Sequence, residues 1–156
     1  NVSNTTIDEA SLPEHSFHAV TMLYVLEHLT DPFETLKKVF SLLIPGGVVI
    51  IRVPHTTPLV RFLSAVKINN NLYDAPFHLF DFSPSTIIQL LEKSGFSSIS
   101  VMPGEPTMPN SYMERLVSVS SGYTAKLLYR LSNGKYLLPG ISKTTIAFKP
   151  GDAKEE

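Results

Sequence analysis

The sequence predicts an α/β fold, and three observations carry that reading. A strand, a capped helix and a second strand follow one another between residues 17 and 53 with short connections. The second of those strands, VVIIRV at 48–53, is a near-continuous apolar, β-branched run, the pattern of a strand covered on both faces. A later helix, entered at Ser83-Pro84, leads straight into an alternating segment at 97–102.

Each element has a local reason. FHAVTML, 17–23, is an apolar run bounded by polar residues and too short for a helix, so it reads as a buried strand. Asp31 then offers an N-cap, Pro32 suits the first helical position, and Glu34 stands three residues after the cap. Phe33, Leu36, Phe40 and Leu43 share a face at helical spacing, and Glu34 with Lys38 forms a favourable i,i+4 pair. Pro45-Gly46-Gly47 is expected to end that helix, because proline cannot continue it and glycine tolerates positive φ. Strand, helix and strand in this order form a βαβ unit, which closes as a parallel pair.

The second half is less regular. Thr57-Pro58 caps a helix with Leu59, Phe62, Leu63 and Val66 inward, and NNNLYDAP, 69–76, reads as a loop. The helix opened by Ser83-Pro84 closes at Gly95, and SSISVM, 97–102, alternates like a strand. Residues 110–132 read as two short helices broken near Ser121-Gly122, and KTTIAF, 143–148, as a closing strand. A single domain over 1–149 and a solvated, mobile tail over 150–156 are expected.

Composition narrows the partners. The 156 residues are 43% hydrophobic and 17% charged, which is globular rather than disordered. Thirteen basic against fourteen acidic residues leave a net charge of -1, so there is no electrostatic footprint for nucleic acid or an anionic membrane. Zero cysteines exclude disulfides and thiolate metal sites and fit a reducing, cytoplasmic setting. No apolar run approaches the ~20 residues of a membrane span. The chain opens on Asn1 rather than Met, as expected of an excised or processed segment.

LPEHSFHAVTMLYVLEHLTDPFETLKKVFSLLIPGGVVIIRVP, 12–54, resembles the second half of a class I S-adenosylmethionine-dependent methyltransferase, in the group related to the ubiquinone-biosynthesis O-methyltransferases. The Leu-Pro-x-x-Ser-Phe entry, the Leu-Glu-His near the strand end and the Pro-Gly-Gly turn match in order, and DAPFHLFDFSPSTIIQLLEKSGF, 74–96, resembles the family's His-x-x-x-Phe-Ser/Thr-Pro segment. The resemblance implies a partial Rossmann-like sheet with strands equivalent to 4-5-7-6, the last antiparallel and lying between the second and third, and helices on both faces. His18 stands where the family has Asp, and Pro54-His55 where it often has Pro-Asn, which puts His55 at the pocket rim. The family's Gly-x-Gly-x-Gly turn is absent: none of the eight glycines forms Gly-x-Gly. Nor has the acidic residue that holds the ribose a counterpart. Half of the cofactor site is therefore expected upstream, and this chain alone is expected to be inactive and to bind S-adenosylmethionine weakly.

In an open α/β sheet, ligands bind beyond the carboxyl ends of the strands. The resemblance places Leu23 and Tyr24 beside the sulfonium and methionyl part of the cofactor, and TIDEASL, 6–12, at adenine, with Asp8 or Glu9 as acceptor of its amino group. Glu27-His28 is expected to act as a paired general base or to ligate a metal; the other reading is that Glu27 caps local amides and His28 packs as a hinge. His78 sits on the segment that closes over the substrate in the family, or is an ordered loop histidine. His15 and His18 read as surface residues. His28, His55 and His78 carry no metal-ligand spacing, so no metal site is expected. The aromatic run Phe77, Phe80, Phe82 reads as loop packing.

The function expected is methyl transfer to a small molecule, with S-adenosylmethionine as cofactor. A non-catalytic methyltransferase-like interaction module is the alternative, and half of a nucleotide-dependent oxidoreductase is a third. The outer edge of strand 17–23 lacks its neighbour, so either a homodimer forms there or the first 16 residues cover it.

Overall fold

A computed structural model describes residues 2–55, 65, 67, 77–104, 112–138 and 141–151. The chain order is β1 (Phe17–Leu23), a 3-10 turn (Leu26–His28), α1 (Pro32–Leu42), β2 (Leu43–His55), α2 (Pro84–Lys93), β3 (Ser97–Pro103), α3 (Tyr112–Leu131) and β4 (Ile141–Phe148). The four strands form one sheet in the order β1-β2-β4-β3. β1 and β2 are parallel, and β4 runs antiparallel to both β2 and β3. This is the expected order, with the last strand inserted between the second and third.

α1 starts as its sequence dictates: Pro32 is its first residue, and the Asp31 carboxylate accepts a hydrogen bond from the Glu34 amide at 3.0 Å. Its buried stripe is Pro32, Thr35, Leu36, Val39 and Leu42, while Phe33 and Phe40 lie half-buried at its flanks, a rotation from the predicted face. Glu34 pairs with Lys37 at 3.1 Å rather than with Lys38. The Ser83 hydroxyl caps α2, and its far end closes with the Phe96 amide reaching the Leu91 carbonyl at 3.0 Å and Gly95 at φ +98°. α1 and α2 share one core with the sheet: Leu36, Val39, Ile87 and Leu91 pack with Met22, Val49, Ile51, Val53, Phe96 and Ala147.

Three expectations need correction. β2 begins at Leu43, so Pro45-Gly46-Gly47 lies within the strand rather than before it. The register shows why: Phe17 pairs with Leu43 but Ala19 with Val48, so the three residues bulge out, with Gly46 at φ +79° and its amide on the Lys149 carbonyl at 3.0 Å. β2 also alternates: Val49, Ile51 and Val53 are fully buried, whereas Val48, Ile50 and Arg52 are half-buried. Finally, α3 is one uninterrupted helix across Ser121-Gly122. Gly122 and Ala125, three apart, are both buried, and the Tyr129 hydroxyl donates to the Val101 carbonyl of β3 at 2.8 Å. Tertiary contact outweighs the roughly 1 kcal/mol that a helical glycine costs.

The predicted helix at 57–66 and loop at 69–76 lie outside the described residues, apart from Ala65, which is helical, and Lys67; so does the tail from 152 on. Among the described residues no helix is long and apolar enough to cross a membrane. Among the described residues β1 pairs only with β2, and His18, Ala19, Thr21 and Leu23 are exposed, so the described residues, the N-terminal segment included, leave that edge uncovered.

Candidate functional site at the carboxyl end of the parallel strands

β1 and β2 both end on the same side of the sheet, and the chain turns sharply there. Tyr24 leaves β1 at φ +56°, with its amide still bonded to the Arg52 carbonyl at 2.8 Å. The 3-10 turn that follows buries Leu26 completely and carries Glu27 inward with it, 1% exposed, while His28 remains at the surface. Segment 77–82 is laid across this turn and fastened by three hydrogen bonds. The amides of Leu79 and Phe80 donate to the Glu27 carbonyl at 2.9 and 3.1 Å, and His28 Nδ1 lies 2.8 Å from the Phe77 carbonyl oxygen.

That strap brings His78 to His28, with ring centroids 4.8 Å apart. His28 Nε2 stands 4.0 Å from Glu27 Oε1. Both Glu27 side-chain oxygens are buried, with no hydrogen-bond partner among the described residues. Glu27, Val53, Pro54, His78, Phe80, Asp81 and Phe82 line a narrow crevice. The structure therefore unites the three residues Glu27, His28 and His78. The capping alternative for Glu27 is half realised, since its backbone carbonyl holds the strap while its carboxylate does not. Phe82 is core, whereas Phe77 is exposed and Phe80 stacks on Phe82 at 5.8 Å. His55 pairs through its backbone with Ile141 at the end of β2.

One neighbour escapes sequence reasoning. Lys143, on β4, is fully buried and donates to the Pro54 carbonyl at 2.6 Å. Burial lowers its pKa from 10.5 to about 8, against the opposing pull of Asp81 and Glu27. Its only signal in sequence is a lysine opening a short strand, which usually means an exposed edge.

The residues expected at the cofactor lie apart from this cluster. Leu23, Tyr24 and Val25 form an exposed apolar step at the end of β1, 56%, 41% and 41% accessible. The Arg52 guanidinium lies 5.6 Å from the Tyr24 ring centre, and its Nε donates to the Ser142 hydroxyl at 3.0 Å. Asp8 accepts from the Thr35 hydroxyl at 3.3 Å, tying the N-terminal segment to α1. Glu9 instead lines an open hollow with Thr5, Thr6, Ile7, Ala10 and Leu12. His18 is exposed, and so is His15, whose Nδ1 meets the Lys149 ammonium at 3.1 Å.

A parallel pair with its polar cluster at the carboxyl ends, continued by an inserted antiparallel strand, can be compared with known families. The family model described as a methyltransferase domain matches residues 2–101. The chain belongs to that methyltransferase family. A protein of Mycolicibacterium smegmatis described as a probable S-adenosylmethionine-dependent methyltransferase is 28% identical over 96 residues, 62% of this chain and 35% of the relative. The chain thus spans about a third of that relative's length. Among solved structures, a SAM-dependent methyltransferase from Archaeoglobus fulgidus aligns over 95% of this chain and 66% of its own, with a TM-score of 0.59 and 23% identity. Phosphoethanolamine N-methyltransferase 2 of Haemonchus contortus, in complex with S-adenosyl-L-methionine, aligns over 93% of this chain and 36% of its own, with a TM-score of 0.50 and 18% identity. At these identities the structural likeness speaks for the fold.

Proposed function

We propose that these residues form the acceptor side, and part of the cofactor side, of a S-adenosylmethionine-dependent methyltransferase acting on a small molecule. One observation carries the reading: a buried carboxyl group, with no hydrogen bond at either oxygen among the described residues, set beside two histidines where the parallel strands end. A buried polar group without partners is costly to keep, so a purely architectural module gains nothing from it.

Bound S-adenosylmethionine supplies an electrophilic methyl group. The exposed step at Leu23 and Tyr24 fits its apolar and cationic portion, since a tyrosine face attracts an onium centre by about 0.5–2 kcal/mol. Arg52 already lies over that ring, so the guanidinium and the cofactor would contend for one face. Glu9 lines the hollow of segment 6–12 and is the acceptor we assign to adenine; its carboxylate accepts from the neighbouring Thr5 hydroxyl at 3.4 Å, within the same segment, whereas that of Asp8 is tied to α1. As the acceptor's lone pair forms the new bond to the methyl carbon, the carbon–sulfur bond would break with its electrons left on sulfur as a neutral thioether, and the acceptor's proton would pass to the Glu27-His28 pair. His78 and the 77–82 strap hold the acceptor over it.

Balanced charge and the absence of cysteine favour a cytoplasmic enzyme without a nucleic-acid partner, and a second copy would meet the first along the open edge of β1. In the complete protein, Glu27→Gln and His28→Ala should lower turnover by about 10²–10⁴ while leaving cofactor affinity within a few fold, because a positioned base acts in the transfer step. Unchanged turnover in both variants would refute the assignment.

A further inference from the structure

His28 is oriented from behind. A carbonyl oxygen only accepts, so the 2.8 Å contact with Phe77 is made by the Nδ1 hydrogen. That leaves Nε2 facing Glu27 Oε1 across 4.0 Å. A nitrogen and a carboxylate oxygen at this separation can share one cation. Glu27 is suited to this, being 1% exposed with neither oxygen hydrogen-bonded among the described residues. His78 adds a third donor: one ligand atom from each of Glu27, His28 and His78 lies within 4.8 Å of the others.

We propose that Glu27, His28 and His78 bind one divalent transition ion of the Zn2+ or Fe2+ kind. Metal bonds of ~2.1 Å at tetrahedral angles place ligand atoms about 3.4 Å apart. The 4.0 Å gap closes with a small side-chain movement, and His28 and His78 have the exposure to make it. The Nδ1–H bond to a main-chain carbonyl is what orients a metal-bound imidazole elsewhere and raises its basicity. Two imidazoles with one carboxylate select borderline ions over Mg2+ and Ca2+, which prefer all-oxygen sites. Asp81 lines the same crevice and keeps the site's charge negative, opposing the nearby Lys143 ammonium. Three protein ligands leave positions open for an acceptor oxygen or nitrogen. There the ion would lower the acceptor's pKa, and the Glu27 oxygen that does not bind the metal would still receive the proton. This role rests on the methyltransferase reading above; the binding of the ion does not.

The test uses the chain stripped by chelator and titrated with Co2+ alone, followed by its visible absorption, and with Zn2+ alone by calorimetry and thermal unfolding. One equivalent of Co2+ should give the intense bands of a four- or five-coordinate site. Glu27→Gln and His78→Ala should each weaken binding by at least about 100-fold, beyond what loss of an outer-shell partner costs. Zn2+ should raise the melting temperature of the parent chain and not that of Glu27→Gln, whose fold the metal-free melt checks. No cobalt bands in the parent chain, or bands that survive both substitutions, overturn the proposal. Either result leaves the methyltransferase reading standing, since that is judged by cofactor binding and turnover.

Discussion

Replacing Lys143 with methionine isolates the largest electrostatic anomaly in the fold. Its pKa falls from 10.5 to about 8 because β4 carries the ammonium into the interior. At ~1.4 kcal/mol per tenfold change, this makes the charged form about 3 kcal/mol less stable in the folded chain than in the unfolded one. The sign follows from proton counts. Below pH 8 both states hold the proton and the whole penalty is present. Between about 8 and 10.5 the folded amine is neutral while the unfolded one is still charged, so stability rises with pH by up to about 3 kcal/mol. Above 10.5 the penalty is gone. Urea unfolding of the metal-free parent and of Lys143→Met, measured from pH 7 to 10.5, should give curves that cross, the parent overtaking the variant as the penalty vanishes and only the lost Pro54 bond remains. At pH 7 the variant should be more stable by about 1–2 kcal/mol, the penalty removed less the lost bond to the Pro54 carbonyl. Curves that stay parallel across the window would show that the buried amine is not penalised, and would refute the reasoning.

Glu27→Gln, in chelator and at neutral pH, should stabilise the chain by about 1–3 kcal/mol, because it replaces an ionisable buried group, without a hydrogen bond among the described residues, by a neutral one at little change in volume; a lower melting temperature would mean that the carboxyl group has a structural partner. Gly95→Ala should destabilise by about 1–3 kcal/mol: Gly95 has φ +98°, and an added Cβ would lie 3.0 Å from the Phe40 ring. Equal chemical-denaturation midpoints would contradict this. The 156-residue chain should show no melting shift with S-adenosylmethionine, whereas a longer protein carrying a Gly-x-Gly turn should gain about 2.7 kcal/mol at 100 times its dissociation constant. A shift in this chain would mean that the site is already complete. Ala19→Lys, on the open edge of β1, should reduce concentration-dependent association in sedimentation experiments; a parent chain that stays monomeric would remove the edge as an interface.

The parts of the fold that were legible are those whose cause is local. Asp31-Pro32 and Ser83-Pro84 cap helices through one side chain each, and 17–23 and 97–102 are strands at or within one residue of their predicted limits. The order of the strands is not a local property, and it came from the resemblance alone. α3 was misread because Ser121-Gly122 signals a break only when no neighbour rewards continuity. β4 lies where a closing strand is expected, but its buried face does not follow hydrophobicity. Hydrophobicity would bury Ile146 and Phe148, yet Lys143, Thr145 and Ala147 are the buried set, opposite the bulky Val49, Ile51 and Val53 layer, where small and polar side chains fit. Lys143 was therefore invisible as a site residue. Glu27 and His28 were readable from their place at a strand end. Their union with His78, 50 positions later, depends on strap hydrogen bonds that no periodicity encodes.

The position of β4 governs how this sheet is assembled. It is the last strand in chain order, yet it supplies a partner for both β2 and β3. Until it emerges from the ribosome, β2 can pair on one side only and β3 on none. Two rows of open amides and carbonyls must therefore wait for a segment made some 40 residues after β3 begins. Local zipping cannot complete such a sheet, so its closure is a late and non-local event that sets the folding rate. A ribosome stalled before residue 141 would leave the most β-branched strand of the protein half-paired, which is the condition under which nascent chains need a chaperone.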